Sequence, residues 1–329
     1  MLPMLMLLVA CTPEASPAPS PVVVAGGTDA MWMRRHWIHG GLPAAAPAAL
    51  AELTRTRGVD TIFPSLGPMD ADGWPGWRDE GSVRRYDPQV AGAFFTEMKA
   101  QRPDLQILPW TGGVIDRDVR LEDPVQRAAF ASHIAEIVAL GADGVQLNVE
   151  TIPEERRAFL DLLRETRAAI GPEATLSVAA YPPRTSLHPF EDVHWSLEFL
   201  AEVCGISNDL SVMGYDTSLR SRALYRGLVE DWTRELAAAL KPPAEGGCTW
   251  RMGVPAYSDD EPWHDPAVET VDESIRGIQA GLGPEAPPNF RGLALYASWT
   301  TSEDEWADVD RLWHQREPVG GVSPDFLED

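Results

Sequence analysis

The sequence predicts a (β/α)8 barrel, also called a TIM barrel, an α/β fold in which parallel strands and helices alternate. From about residue 28, short apolar runs of strand length alternate with longer amphipathic stretches. Eight such pairs occupy roughly 290 residues, close to the ~250 residues typical of this fold. The alternative, an open doubly wound sheet, usually has a Gly-rich phosphate-binding turn after its first strand. The sequence contains neither GxGxxG nor a P-loop.

Each predicted strand is an apolar run of six to eight residues with polar or Gly/Pro-containing segments at its ends. In chain order, the predicted strands are 31–38, 59–65, 105–110, 144–150, 175–181, 209–215, 250–257 and 291–297. Since the active sites of such barrels lie at the carboxyl ends of the strands, we expect the functional side chains there.

The predicted helices fill the segments between these strands. They are 44–56, 88–101, 124–140, 154–170, 196–204, 221–240, 267–281 and 302–314. The clearest is 124–140, where Phe130, Ile134 and Ile137 lie mostly on one stripe. Asp123 and Pro124 form a helix-entry signal directly before it.

The composition excludes several classes of protein. The 329 residues include 27 Lys and Arg against 50 Asp and Glu, for a net charge of -23. A nucleic-acid partner is therefore not expected, because phosphate contacts need a basic face. Three cysteines are too few for a disulfide scaffold, and Cys204 and Cys248 are equally compatible with a bond or with two buried thiols.

The first residues indicate export. Leu8-Val9-Ala10-Cys11 resembles a bacterial lipobox, although no Lys or Arg precedes it, and the apolar run is far shorter than the ~20 residues that span a bilayer. We predict a signal peptide at 1–11 with lipidation of Cys11, a Pro/Ala/Ser tether at 12–27, the barrel at 28–315 and a tail at 316–329. The resulting protein would be a cell-envelope lipoprotein, at the outer membrane or in the periplasm. The alternative is a buried apolar tail with an incidental cysteine.

The fourth predicted strand has polar side chains where a barrel interior is normally apolar. In Asp143-Gly-Val-Gln-Leu-Asn-Val-Glu150, alternation places Gln146, Asn148 and Glu150 on the interior face. Buried polar groups without partners cost up to several kcal/mol, so we interpret this row as functional. The alternatives are a buried polar network that closes the barrel bottom and an edge strand that faces water.

This segment resembles the DGxDxDxE signature of family 18 glycoside hydrolases, the chitinase-like barrels. Four further segments resemble the family's later strands in the same order: Leu176–Pro183, Val212–Asp216 (its MxYD), Met252–Tyr257 (its GxPxY) and Gly292–Tyr296. The match covers about residues 140–299. It departs at Gln146 and Asn148, which replace two aspartates, and at Tyr296, which replaces a tryptophan. The Asn-x-Glu pattern is similar to that of family 85 endo-β-N-acetylglucosaminidases.

The resemblance implies retaining, substrate-assisted hydrolysis of a β-linked N-acetylglucosamine glycan of chitin, peptidoglycan or N-glycan type, with no cofactor and no metal. The acetamido oxygen of the substrate would attack the anomeric carbon, so no protein nucleophile is needed. Glu150 would act as general acid and then base, Asn148 would orient the acetamide, and Tyr215 would hydrogen-bond its oxygen. Asp216 would contact the sugar or hold Tyr215.

Aromatic side chains bind sugars by stacking on their apolar faces, and twelve tryptophans is a high count. The predicted substrate-binding residues are Gln146, Asp143, Asp216, Met213, Trp37, Trp110, Tyr181, Tyr257, Tyr296 and Trp299. We interpret Trp195, Trp232, Trp306 and Trp313, on helical segments, as packing residues. The long loop 66–86, with Trp74 and Trp77, is expected to overhang the active-site rim.

The alternative function is a glycan-binding barrel of the cell envelope with impaired catalysis. Such barrels usually lose the final glutamate, whereas Glu150 is present here. The absence of both inner aspartates nevertheless supports this alternative. A third possibility is a scaffold with a plugged barrel.

Overall fold

The computed structural model describes residues 29–79 and 82–319 and shows a closed barrel of parallel strands surrounded by helices. The strands are β1 Asp29–Met33, β2 Val59–Pro68, β3 Gly76–Asp79, β4 Ser82–Arg85, β5 Gln106–Ile107, β6 Trp110–Val114, β7 Gly144–Glu150, β8 Thr175–Ala180, β9 Asp209–Val212, β10 Thr249–Pro255 and β11 Phe290–Tyr296. Strand β1 pairs in parallel with both β2 and β11, which closes the barrel. The short β5 and β6 together form its third strand, so eight strand positions surround the axis.

The helices are α1 His36–His39, α2 Ala46–Arg57, α3 Pro88–Gln101, α4 Pro124–Ala139, α5 Ala158–Ile170, α6 Leu197–Cys204, α7 Arg222–Ala239, α8 Val271–Leu282 and α9 Glu303–Asp308. Several of these helices have a side-chain cap at their first turn. Asp123 accepts from the amides at the start of α4, and Ser302 forms a capping box at the start of α9. The predicted barrel and its alternation of strands and helices are confirmed.

Two predicted segments differ from the structure. Strand β1 ends at Met33, and residues 36–39 form helix α1, in which the adjacent Trp37 and Ile38 are both buried. A short apolar run fits either element, and here packing decides for the helix. Residues 66–86 are not a loop, because β2 continues to Pro68 and β3 and β4 form an antiparallel hairpin.

Polar side chains fill the lower barrel interior. Arg251 donates to Asp209 Oδ1 at 2.7 Å and to Thr61 Oγ1 at 3.0 Å, and Ser177 Oγ donates to Asp209 Oδ2 at 3.0 Å. The side chains of Arg251 and Asp209 are only 2% and 5% exposed. This network joins β2, β8, β9 and β10 across the axis below the level of the site.

The structure also describes the two cysteines of the barrel and the start of the predicted C-terminal tail. Cys204 and Cys248 form a disulfide that ties the end of α6 to the residue before β10. The first residues of the predicted C-terminal tail pack on the barrel, since Arg57 donates to the Val319 carbonyl at 2.7 Å. The predicted signal peptide, the tether and Cys11 lie outside the described residues. None of the helices within the described residues is both long and apolar enough to cross a bilayer.

Candidate active site

A cavity of about 210 Å³ opens at the carboxyl ends of the strands. Seven predicted site residues line it: Asn148, Glu150, Tyr181, Met213, Tyr215, Asp216 and Tyr296. These side chains come from the ends of β7, β8, β9 and β11, so the barrel brings together residues that are far apart in sequence.

Glu150 is the last residue of β7, and its backbone pairs with that of Val114 on β6. Two pairs lower, Gly112 lies so close that a Cβ on it would be 2.1 Å from the Asn148 carbonyl oxygen, so only glycine fits there. Burial raises the pKa of the Glu150 carboxyl, the negative charge of Asp216 raises it further, and a hydrogen bond from Asn148 opposes both. The carboxyl is thereby suited to hold a proton for donation.

Asn148 and Tyr181 both line this cavity, and each has a buried polar atom without a hydrogen-bond partner. Asn148 donates to the Glu150 carboxyl through its Nδ2, which is the only donor of its side chain. The Oδ1 of Asn148 is buried and has no hydrogen-bond partner. The Tyr181 hydroxyl is also buried without a partner, and burial raises its pKa, so it remains a donor. Because both residues line the cavity, these two atoms are candidates for hydrogen bonds to a ligand.

Gln146 lies below the cavity and is fully buried, which corrects its assignment as a substrate-binding residue. Its Oε1 accepts from Trp32 Nε1 at 2.6 Å, and its Nε2 donates to Ser177 and Ser211 at 3.3 and 3.2 Å. All its polar atoms are therefore occupied. The alternative interpretation, a buried polar network, is correct for this residue.

Tyr215 and Tyr296 form one wall of the cavity. Their rings stack with centroids 5.1 Å apart, and Trp32 contacts both rings edge-on. Gly253 leaves the space for Tyr215, since a Cβ there would lie 2.9 Å from Tyr215 Cε1. Burial raises the pKa of both phenols, that of Tyr296 to about 12, so both hydroxyls stay protonated and can donate to a ligand.

Asp216 contacts the next residues outward from the cavity. Its Oδ1 accepts from the Tyr257 hydroxyl at 2.7 Å and lies 2.9 Å from His264 Nδ1. The rings of Tyr257 and His264 stack at 3.8 Å. Tyr257 therefore reaches the site through Asp216 and not by lining the cavity.

The sequence interpretation missed another wall. The segment after β8 contributes His188 and His194, whose Nδ1 and Nε2 atoms lie 3.0 Å apart, and both rings line the cavity with Trp232. His188 Nε2 contacts the Thr217 carbonyl at 3.0 Å. Trp232 is fully buried in the core, as expected for a packing residue, and one side of it also borders the cavity. The available signal was the length of the segment after a strand end and its two histidines.

Three of the predicted substrate-binding residues lie away from the cavity, which corrects their assignment. Asp143 lies at the opposite end of β7, roughly 20 Å below Glu150, where it pairs with Lys99 at 2.7 Å. Trp37 is buried against Phe94, because it belongs to helix α1. Trp110 pairs with Gln146 along the sheet, below the cavity, and donates to the Met33 carbonyl.

Trp299, a fourth predicted substrate-binding residue, does not line the cavity. Its ring contacts that of Tyr296 edge-on, with the ring centroids 5.9 Å apart. The hairpin tryptophans also lie outside the cavity lining. Trp74 packs on His133 at 4.0 Å, and the guanidinium of Arg35 lies 3.4 Å from the Trp77 ring. Over residues 29–79 and 82–319, no cluster of three His, Cys, Asp or Glu side chains is arranged to hold a metal ion.

Comparisons with known proteins show the fold class. The chain is similar to the spore cortex-lytic enzyme SleL of Bacillus cereus (TM-score 0.58, 12% identity, 86% of this chain and 74% of that chain). It is also similar to a GH18 chitinase of Pseudoalteromonas aurantia (TM-score 0.59, 14% identity, 87% and 99%). A third similar structure is a GH18 chitinase mutant of Cycas revoluta in complex with (GlcNAc)4 (TM-score 0.54, 14% identity, 82% and 94%).

These structures are family 18 chitinase-like TIM barrels, and this chain has their fold. No family model and no curated protein matches the sequence. At such low identity the likeness concerns the architecture, so the function depends on the residues of the cavity.

Proposed function

We propose that this protein is a glycoside hydrolase acting on β-linked N-acetylglucosamine glycans by retaining, substrate-assisted catalysis. The observation that carries this proposal is the set of groups in one cavity: a carboxyl with a raised pKa at Glu150, beside an unpartnered Asn148 Oδ1 and an unpartnered Tyr181 hydroxyl. A proton donor next to one free acceptor and one free donor is complementary to a glycosidic oxygen next to an acetamido group.

Each group has a defined task in this reaction. Asn148 Oδ1 accepts the acetamide N–H, and the protonated phenols of Tyr181 or Tyr215 donate to the acetamide oxygen, which turns that oxygen toward the anomeric carbon. Glu150 gives its proton to the leaving oxygen while the acetamide oxygen attacks, and it then takes a proton from the water that opens the cyclic intermediate. Asn148 brings no charge, so it would hold the N–H of the cyclic intermediate by a hydrogen bond and not by an ion pair.

The cavity size limits how much of a glycan can be enclosed. Its volume, about 210 Å³, is below the ~300–1,000 Å³ of sites that enclose a whole drug-sized ligand. One sugar would occupy it, with the rest of the chain outside. The Cycas chitinase complex with (GlcNAc)4 and the cortex-lytic SleL share the fold and support this substrate class.

The test compares the wild-type protein with Glu150→Gln on chitooligosaccharides, muropeptide glycan and a high-mannose N-glycan, with products read by mass spectrometry. We expect cleavage of at least one substrate by the wild type and a loss of about 10²- to 10⁴-fold in Glu150→Gln, because the acid is gone. Glu155→Gln, which removes an exposed carboxylate on the same loop, is the matched control and should retain activity. Binding by both forms without any cleavage would instead identify a glycan-binding barrel.

We also propose that the protein is exported and anchored to the cell envelope through Cys11. The apolar run that ends at Cys11 and the tether after it support this location. The disulfide between Cys204 and Cys248 supports it independently, because disulfides persist in oxidising compartments outside the cytosol.

A further inference from the structure

The segment after β9 has an unusual backbone. Asp216 and Ser218 have φ angles of 59° and 56°, in the left-handed region that residues other than glycine seldom occupy. Thr217, between them, is buried. Such conformations cost about 1–3 kcal/mol each and persist where the surrounding structure holds them, often at functional sites.

Glu269 is the group that holds this segment. It lies between β10 and α8 and is 1% exposed. Its Oε2 accepts from the Asp216 amide at 2.8 Å, and its Oε1 accepts from the amide and the hydroxyl of Thr217 at 2.9 and 2.7 Å. Two consecutive amides thus donate to one carboxylate, and we call these hydrogen bonds between Glu269 and residues 216–217 the clamp.

The segment 216–217 contacts two parts of the site. The Asp216 side chain, which lines the cavity, receives hydrogen bonds from Tyr257 and His264 behind it. The Thr217 carbonyl contacts His188, which also lines the cavity. A change in the 216–217 backbone would therefore displace both Asp216 and His188, although Glu269 itself does not line the cavity.

We propose that Glu269 is a positioning residue for hydrolysis, whose carboxylate holds the 216–217 backbone so that Asp216 and His188 face the bound sugar. This inference rests on the proposed function for its role in the reaction. The hydrogen bonds that define the clamp are independent of that function.

The environment of Glu269 makes the clamp sensitive to pH. The titratable groups that face it are Asp216, Tyr225 and Tyr257, and no salt bridge to Glu269 forms within the described parts of the chain. Burial raises the pKa of Glu269 to about 7, with Asp216 adding to the rise and the three hydrogen bonds opposing it. The ionised carboxylate is the stronger acceptor, so the clamp weakens as the pH falls through about 7.

The direct test follows the backbone amide protons of Asp216 and Thr217 by NMR in the whole protein, from about pH 5 to 9. We expect both resonances to titrate together with a midpoint near the pKa of Glu269 and to lose this titration in Glu269→Gln. The amide side chain of that variant would keep one acceptor and place an N–H₂ group against an amide donor. Amides that titrate equally in the variant would overturn the clamp, and amides that do not titrate in the wild type would overturn its sensitivity to pH.

The kinetic test asks whether the clamp serves the reaction. Glu269→Gln should lower kcat/KM by about 10- to 100-fold, the cost of misplacing groups around the substrate, and should remove the acid limb of the pH profile. Glu269→Asp keeps the charge but shortens the side chain, so it should also lower kcat/KM. Glu273→Gln is the matched control: it removes another buried carboxylate, four residues later and paired with Arg226, and should leave the profile unchanged.

These experiments distinguish a failure of the proposed function from a failure of the positioning role of Glu269. If the wild type cleaves no glycan, hydrolysis is wrong, and the affinity for (GlcNAc)4 decides whether Glu269 positions the site for binding. A loss of about tenfold or more in Glu269→Gln, beside an unchanged Glu273→Gln, would retain the positioning role. Unchanged kinetics and affinity in Glu269→Gln would overturn it.

Discussion

At the scale of single residues, the acidity of Glu150 is set by opposing neighbours. Burial and the charge of Asp216 raise the pKa of its carboxyl, whereas the Asn148 amide lowers it by hydrogen bonding to the ionised form. A general acid must be protonated in the free enzyme, so activity should decline as the pH rises through the pKa of Glu150. Burial, together with these two polar neighbours, therefore sets the alkaline limit expected for the proposed reaction.

We expect Asn148→Asp to move the alkaline limb of kcat/KM to higher pH. The substitution removes a hydrogen-bond donor and adds a like charge beside Glu150, and both changes raise the pKa of an acid. Asp216→Asn is the matched variant with the opposite sign, since loss of its negative charge lowers the pKa of Glu150. The measurement is the pH profile of both variants on the substrate that the wild type cleaves. Shifts in the same direction would contradict this account.

At the scale of elements, the barrel strands are joined across the axis by a polar network. Arg251 on β10 contacts Asp209 on β9 and Thr61 on β2, and Ser177 on β8 completes the hydrogen bonds to Asp209. Both members of the Arg251–Asp209 pair are almost fully buried. Their mutual attraction and hydrogen bonds compensate for the loss of water, so each depends on the other.

Arg251→Met should lower the free energy of unfolding by about 3–5 kcal/mol, because Asp209 would remain buried without its cation. The control is Arg291→Met, which removes a pair with Asp60 at 3.2 Å from an arginine that is 40% exposed. Exposed pairs contribute up to about 1 kcal/mol, so this change should be small. Chemical denaturation at neutral pH measures both. Equal losses would refute the role of the buried pair, and Asp209→Asn added to Arg251→Met should recover part of the stability.

At the scale of the whole molecule, the net charge and the disulfide are compatible with the proposed envelope glycosidase. A net charge of -23 repels anionic polymers such as nucleic acids, whereas N-acetylglucosamine chains such as chitin carry no charge to repel. The disulfide fits the proposed export, because disulfides persist in oxidising compartments.

We expect the protein, expressed in full in a bacterium with an outer membrane, to be recovered with membranes and to take up radiolabelled fatty acid. Cys11→Ser should abolish the label and release the protein, because the tether would lose its anchor. In the same sample, Cys204 and Cys248 should not react with a thiol reagent until they are reduced. An unlabelled wild type with two reactive thiols would place the protein in the cytosol and contradict the proposed location.

The sequence by itself determined the order of strands and helices, because periodicity and helix signals are local properties of the chain. Alternation along β7 also placed Glu150 and Asn148 on the interior face. It also placed Gln146 there, but it could not decide whether this residue binds substrate, because its partners Trp32, Ser177 and Ser211 come from three other strands. Only the tertiary structure decided which residues share the cavity. His188 and His194 form a wall of the cavity, and Glu269 binds the backbone of residues 216–217. Periodicity does not predict these contacts, because they depend on how the loops fold over the closed barrel.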